Sequence, residues 1–140
     1  MIQPEISLIT YEEMLETKLS RRIRQFNYGF VGEYPEVQRV FLNAKNLEGH
    51  VVGGFRAEIF LGWLMVNILF VEESERGKGL GARLLQAGES KGREWGATRV
   101  RLDTFGWQAP KFYLKQGYRE LHQIPNYFQG FTLHTMCKDL

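Results

Sequence analysis

Residues 71–85 read VEESERGKGLGARLL, with glycines at 77, 79 and 81 threaded between Arg76, Lys78 and Leu80. Glycine is costly inside regular structure, because it loses more backbone freedom on folding than any other residue. Three of them where an apolar run ends and a helical pattern begins indicate a backbone that bends tightly or is approached closely. Unpaired amides at a helix start carry partial positive charge, and glycine lets them close on a phosphate without Cβ clashes. Arg76 and Lys78 add formal charge. The chemistry on offer is an anion cradle made by the backbone of Gly77, Gly79, Leu80 and Gly81. The alternative is a solvated turn whose glycines serve geometry alone.

Three cradle patterns compete. A P-loop needs G-x-x-x-x-G-K-S/T, and Lys78 followed by Gly79 excludes it. The dinucleotide fingerprint G-x-G-x-x-G/A does match at Gly77, Gly79 and Ala82, with Asp103 downstream as a candidate ribose acid. That fingerprint should follow its strand at once and open a doubly wound sheet, whereas here EESER intervenes and a hairpin meander precedes it. The third pattern, R/Q-x-x-G-x-G/A, fits as Arg76, Gly79 and Gly81. Downstream, QAPKFYLKQGYRE spaces Ala109, Tyr113, Gly117 and Tyr118 as A-x-x-x-Y-x-x-x-G-F/Y. With both motifs in this order, the sequence resembles the GNAT superfamily of acetyl-coenzyme-A-dependent N-acetyltransferases.

The resemblance implies a role for each motif. The glycine loop would hold the coenzyme A diphosphate by backbone amides, with acetyl-coenzyme A as cosubstrate and no metal. The strand ending in Phe70 and Val71 would pair its backbone with the pantetheine arm, an amide near Val71 donating to the acetyl carbonyl. Tyr113 would donate to the departing sulfur as general acid; read from the residues alone, it is equally a core tyrosine beside Phe112. Many members carry Asn three residues before the matched alanine, where this chain has Gly106, so Thr104 or Gln108 would serve the arm instead. Glu72 and Glu73 are candidates for a general base, or two exposed loop acids. Phe26, Tyr28, Phe30 and Tyr34 would wall the acceptor pocket, or form outer core.

These groups need elements to position them. ISLIT (6–10) reads as a strand by alternation, and Leu15, Leu19, Ile23 and Phe26 space a helix over about 12–26. NYGFVGEYPE reads as an aromatic loop, broken by two glycines and a proline. A hairpin follows, from VQRVFLNAK (37–45) through NLEG to HVVGGFRAEIFL (50–61). WLMVNILFV (63–71) has the unbroken apolar character of a strand covered on both faces. A helix succeeds the glycines, TRVRLDT (98–104) alternates as a strand, and Pro110 and Gly117 bracket a short helix. Strands near 118–123 and 131–138 end the chain. The order β-α-β-β-β-α-β-α-β-β predicts an α/β sandwich with a mixed, mostly antiparallel sheet of about six to seven strands. NYFQG (126–130), similar to a protease-tag remnant, lies mid-domain and reads as native.

Composition bounds the partners. At 140 residues the chain fits one domain with a full core. A net charge of +2 gives no argument for nucleic acid. No apolar run is long enough to span a membrane, and the amino terminus has no signal pattern. A single cysteine, Cys137, forms no internal disulfide, so a cytoplasmic protein is the expectation. His50, His122 and His134 lack metal-ligand spacing. Sheet-edge strands are compatible with a homodimer. Short length and near-neutral charge favour a small-molecule amine as acceptor; a protein amine, or a non-catalytic acyl-coenzyme-A-binding module, are the alternatives.

Overall fold

The computed structural model describes residues 2–140, which divide into two compact units, one covering the first 34 residues and the other Pro35–Leu140. In the first unit, residues 2–10 form no strand. Their β-branched alternation supplies propensity, but no ladder forms without a neighbouring strand. Thr10 closes a capping box with Glu13, its hydroxyl accepting from the Glu13 amide at 3.2 Å, and so starts α1 (Tyr11–Thr17). Lys18, left-handed at φ 53°, ends α1 and starts α2 (Leu19–Val31). The expected single helix is therefore two, and the second runs on through the segment expected to be an aromatic loop. Phe26, Tyr28 and Phe30 stand on α2, and Gly32 terminates it.

The second unit is built on a six-stranded sheet. Its strands are β1 (Gln38–Lys45), β2 (Val51–Phe60), β3 (Trp63–Val71), β4 (Arg99–Phe105), β5 (Arg119–Phe128) and β6 (Phe131–Asp139). They lie in the order β1-β2-β3-β4-β6-β5, antiparallel except for β3 and β4. A parallel pair needs a crossover. Here α3 (Leu80–Glu94) supplies it, packing on β1, β2 and β3. Gly88 explains how closely it packs: a Cβ there would fall 2.3 Å from Phe55 Cζ. The core on this side of the sheet is made of Phe55, Ala57, Leu64, Val66, Leu85, Val100, Leu102 and Met136. Fully burying a side chain such as Leu64 or Leu85 contributes about 1.5–3 kcal/mol.

Two-residue turns join β2 to β3 at Leu61–Gly62 and β5 to β6 at Gln129–Gly130, each with both φ values positive, as tight hairpins require. NYFQG is thus the tip of the β5–β6 hairpin. The short α4 (Pro110–Lys115) follows β4, with Pro110 in its first turn.

One irregularity in β3 organises the rest. Ala57 pairs with Val66 and Arg56 with Ile68, so Asn67 is an extra residue, a β-bulge. Pairing between β3 and β4 runs from Trp63–Arg99 to Val66–Leu102 and stops there. Beyond the bulge the two parallel strands are unpaired with each other. Ile68 and Phe70 remain 44% and 48% exposed, so β3 is not covered on both faces as its composition suggested.

Candidate active site

The loop between β3 and α3 starts with the Glu72 amide donating to Val52 O at 2.8 Å, and tightens into a 3-10 turn at Glu73–Glu75. Arg76 turns back on it, its Nε donating to Val71 O at 2.9 Å. Gly77 and Gly79 take φ values of 75° and 83°, the left-handed region where a Cβ is strained. Gly79 caps α3 with no side-chain acceptor, so the first amides of the helix face outward without a cap.

These amides border a cavity of about 470 Å³ lined by Val71, Arg76, Gly77, Gly79, Gly81 and Tyr113, among others. A second, of about 270 Å³, occupies the split between β3 and β4, lined by Asn67, Phe70, Asp103, Thr104, Gln108 and Tyr113 with their neighbours. The two share Leu69, Ala109 and Tyr113. An elongated ligand anchored at the α3 amides therefore reaches the split past Tyr113.

Tyr113 is buried, with ring contacts to Phe112 at 5.1 Å and Tyr118 at 5.6 Å between centroids. Its phenol has no hydrogen-bond partner among the described residues, yet no fully buried side-chain oxygen lacks one; the Oη must therefore open to the cavity. Burial pushes its pKa up to about 12, so the phenol keeps its proton at any working pH. Thr104 and Gln108 line the split but are tied locally: Thr104 Oγ1 accepts from the Ala109 amide at 3.3 Å, and Gln108 Oε1 from the Phe105 amide at 2.8 Å. Gly106 donates its amide to Thr132 O at 3.0 Å.

Lys78, Glu72 and Glu73 line neither of these joined cavities. Lys78 pairs with Glu75 at 3.6 Å and lines a separate cleft of about 810 Å³, with Lys45 and Arg83, on the β1 side of α3. Leu80 borders both this cleft and the cavity of about 470 Å³. Glu72 and Glu73 are exposed at the end of β3 and line neither of the two joined cavities. In the first unit, Tyr28 Oη donates to Tyr34 O at 3.2 Å and Asn27 Nδ2 to Tyr34 Oη at 3.0 Å, while the Phe26 and Phe30 rings meet tilted, 5.1 Å between centroids. These aromatics order the helix end locally.

Sequence reasoning gave Asp103 only a passing role as a ribose acid. In the structure its carboxylate borders the split and accepts from Thr135 Oγ1 at 2.6 Å. The available signal was its outward position at the end of an alternating strand. Glu89 was missed too; it falls on the apolar side of α3, between Leu85 and Gly92, where a charge demands a partner. Among the described residues no group of three or more His, Cys, Asp or Glu is placed to hold a metal, and no helix is long and apolar enough to cross a membrane.

Comparison with known proteins gives this geometry a lineage. The acetyltransferase (GNAT) family model matches residues 5–118. A blasticidin-S acetyltransferase of Streptomyces morookaense is 39% identical over 93 residues, 66% of this chain and 68% of that one. The 1.9 Å crystal structure of an acetyltransferase from Bacillus cereus ATCC 14579 superposes with a TM-score of 0.85 at 31% identity, covering 98% of each chain. An aminoglycoside 6'-N-acetyltransferase complexed with coenzyme A shares the fold at a TM-score of 0.66 and 20% identity, over 95% of each chain. By family match, sequence identity and shared fold, this chain belongs to the acetyltransferase (GNAT) family and is an acyltransferase.

Proposed function

We propose that the protein transfers the acetyl group of acetyl-coenzyme A to a primary amine of a small molecule by direct attack. The observation that carries this reading is the split beyond Asn67, which joins an uncapped helix start to an unpaired strand edge with Tyr113 between them. The amides of Gly77, Gly79, Leu80 and Gly81 hold the diphosphate, with Arg76 beside it. The free edge of β3 at Leu69 and Val71, whose backbone polar groups alternate away from β2, offers main-chain hydrogen bonds to the pantetheine arm, directing the thioester into the split.

The amine nitrogen bonds to the acetyl carbonyl carbon and the carbon–sulfur bond breaks. The oxyanion is met by a β3 amide, and the sulfur by the Tyr113 phenol. A thiol's pKa is about 8.5, well below that of Tyr113, so a hydrogen bond rather than complete proton transfer stabilises the leaving thiolate. The amine's lost proton passes to water or to a carboxylate. Asp103, which borders the split, is better placed for this than Glu72 or Glu73. It also favours a cationic acceptor. The relative named for blasticidin S supports a small amine.

Thiol release with a panel of blasticidin S, an aminoglycoside and a lysine peptide tests this. Release with a small amine is expected, and release with the peptide alone would overturn the acceptor class. Tyr113→Phe should lower kcat about 100-fold with little change in coenzyme A affinity, the lower end of general acid–base effects. Gly79→Glu should abolish that affinity, read by calorimetry.

A further inference from the structure

Beneath α3, away from the cavity, lies a buried polar cluster that the chemistry above does not use. Glu89, only 3% exposed, accepts from Tyr118 Oη at 2.6 Å and from Lys138 Nζ at 3.1 and 3.2 Å. The same ammonium donates to Gln116 O at 3.0 Å and lies 5.3 Å from the centre of the Tyr118 ring. Three elements thus meet at one carboxylate: α3, whose other end carries the glycine loop; the turn after α4; and β6.

A charge this deep is costly unless paired, and a hydrophobic trio of similar volume would pack as well or better. What the polar cluster adds is geometry. Among the described residues the Tyr113 phenol has no hydrogen-bond partner to fix its ring. Its position depends on packing, and Tyr118 supplies a ring contact beside that of Phe112. Tyr118 is also tied to it through the backbone, its amide donating to Tyr113 O at 3.0 Å. With the Tyr118 hydroxyl held by Glu89, that ring cannot slide. With Gln116 O held by Lys138, the end of α4 cannot unwind.

We infer that Glu89, Tyr118 and Lys138 form a positioning network that holds the Tyr113 phenol toward the thioester sulfur. This rests on Tyr113 acting as the acid, as proposed above. None of the three touches substrate; they act through Tyr113. Burial, with the Glu89 hydrogen bond and charge behind it, drives the pKa of Tyr118 far up, so its hydroxyl stays a donor to the carboxylate throughout.

A double-mutant cycle separates positioning from general scaffolding. Tyr118→Phe removes one hydroxyl and keeps the ring volume, and coenzyme A calorimetry confirms that the variant is folded. With the best amine of the panel, Tyr118→Phe should lower kcat about 10-fold and leave the KM for acetyl-coenzyme A within about 2-fold. In the Tyr113→Phe background the same change should cost less than about 2-fold, because no phenol remains to misplace. Glu89→Gln should show the same pattern more weakly, since its amide still accepts from Tyr118. Equal losses in both backgrounds would overturn the network and leave Tyr113 as the acid. Full turnover by Tyr113→Phe would overturn both.

Discussion

The parallel β3–β4 junction has two halves that share a sequence style and differ in purpose. From Trp63 to Val66 the strands are hydrogen-bonded, and Leu64, Val66, Val100 and Leu102 are buried under α3. From Asn67 to Val71 the strand is as apolar in composition, yet its edge toward β4 is free and its residues border the two joined cavities. A single extra residue separates them. A bulge interrupts the ladder and increases local twist, so the partner strand is left behind. The closed half contributes stability, and the open half leaves its edge unpaired, which is the feature the proposed function uses.

The most disruptive way to break this contrast is to delete Asn67. Val66 and Leu69 already face the core on either side of the bulge, opposite Ala57 and Phe55, so deletion keeps the core residues on their face while restoring a regular strand. Turnover should fall by about 100-fold or more as the split closes, a misplacement effect of the size expected for reacting groups. Thermal stability should be largely retained. An active deletion variant would show that the bulge is incidental.

Leu64→Ala attacks the closed half. It should cost about 3 kcal/mol in denaturant unfolding, as fully buried Leu→Ala changes do, while the folded fraction keeps its coenzyme affinity. Tyr113, which bounds the open half, gives a pH signature. Its pKa is about 12 in the folded chain against an ordinary 10.0. The unfolded chain therefore ionises first as pH rises. The stability from keeping this phenol neutral is complete below pH 10 and lost on the way to 12, at up to about 1.4 kcal/mol per pH unit. Unfolding midpoints at pH 9, 10 and 11 should fall along this course, and less steeply in Tyr113→Phe. The smallest effect belongs to Asp103→Asn: about a 5-fold rise in KM for a cationic amine, with kcat within about 2-fold, because the carboxylate is exposed and screened. A neutral-amine KM that rises equally would deny it a charge role.

Where sequence reading and structure part, the cause is non-local each time. Residues 6–10 have strand chemistry but no strand to pair with. The helix over 12–26 breaks at Lys18, a residue with no local breaker character, and its second part continues past Gly29, which the helix tolerates at modest cost. β5 runs on through Pro125, because as an edge strand it can lack one amide. The glycine loop, the Pro110–Gly117 bracket and the β1–β2 hairpin were legible, since each rests on a backbone requirement carried by its own residues.

The sequence by itself determined the glycine loop and the tyrosine motif on which the family resemblance rests, because φ restrictions and short-range periodicity are properties of neighbouring residues. Only the tertiary structure decided that Asn67 is a bulge, that β3 and β4 part there, and that Glu89 finds Tyr118 and Lys138. Register and burial depend on which distant segments meet, and no residue carries that information alone.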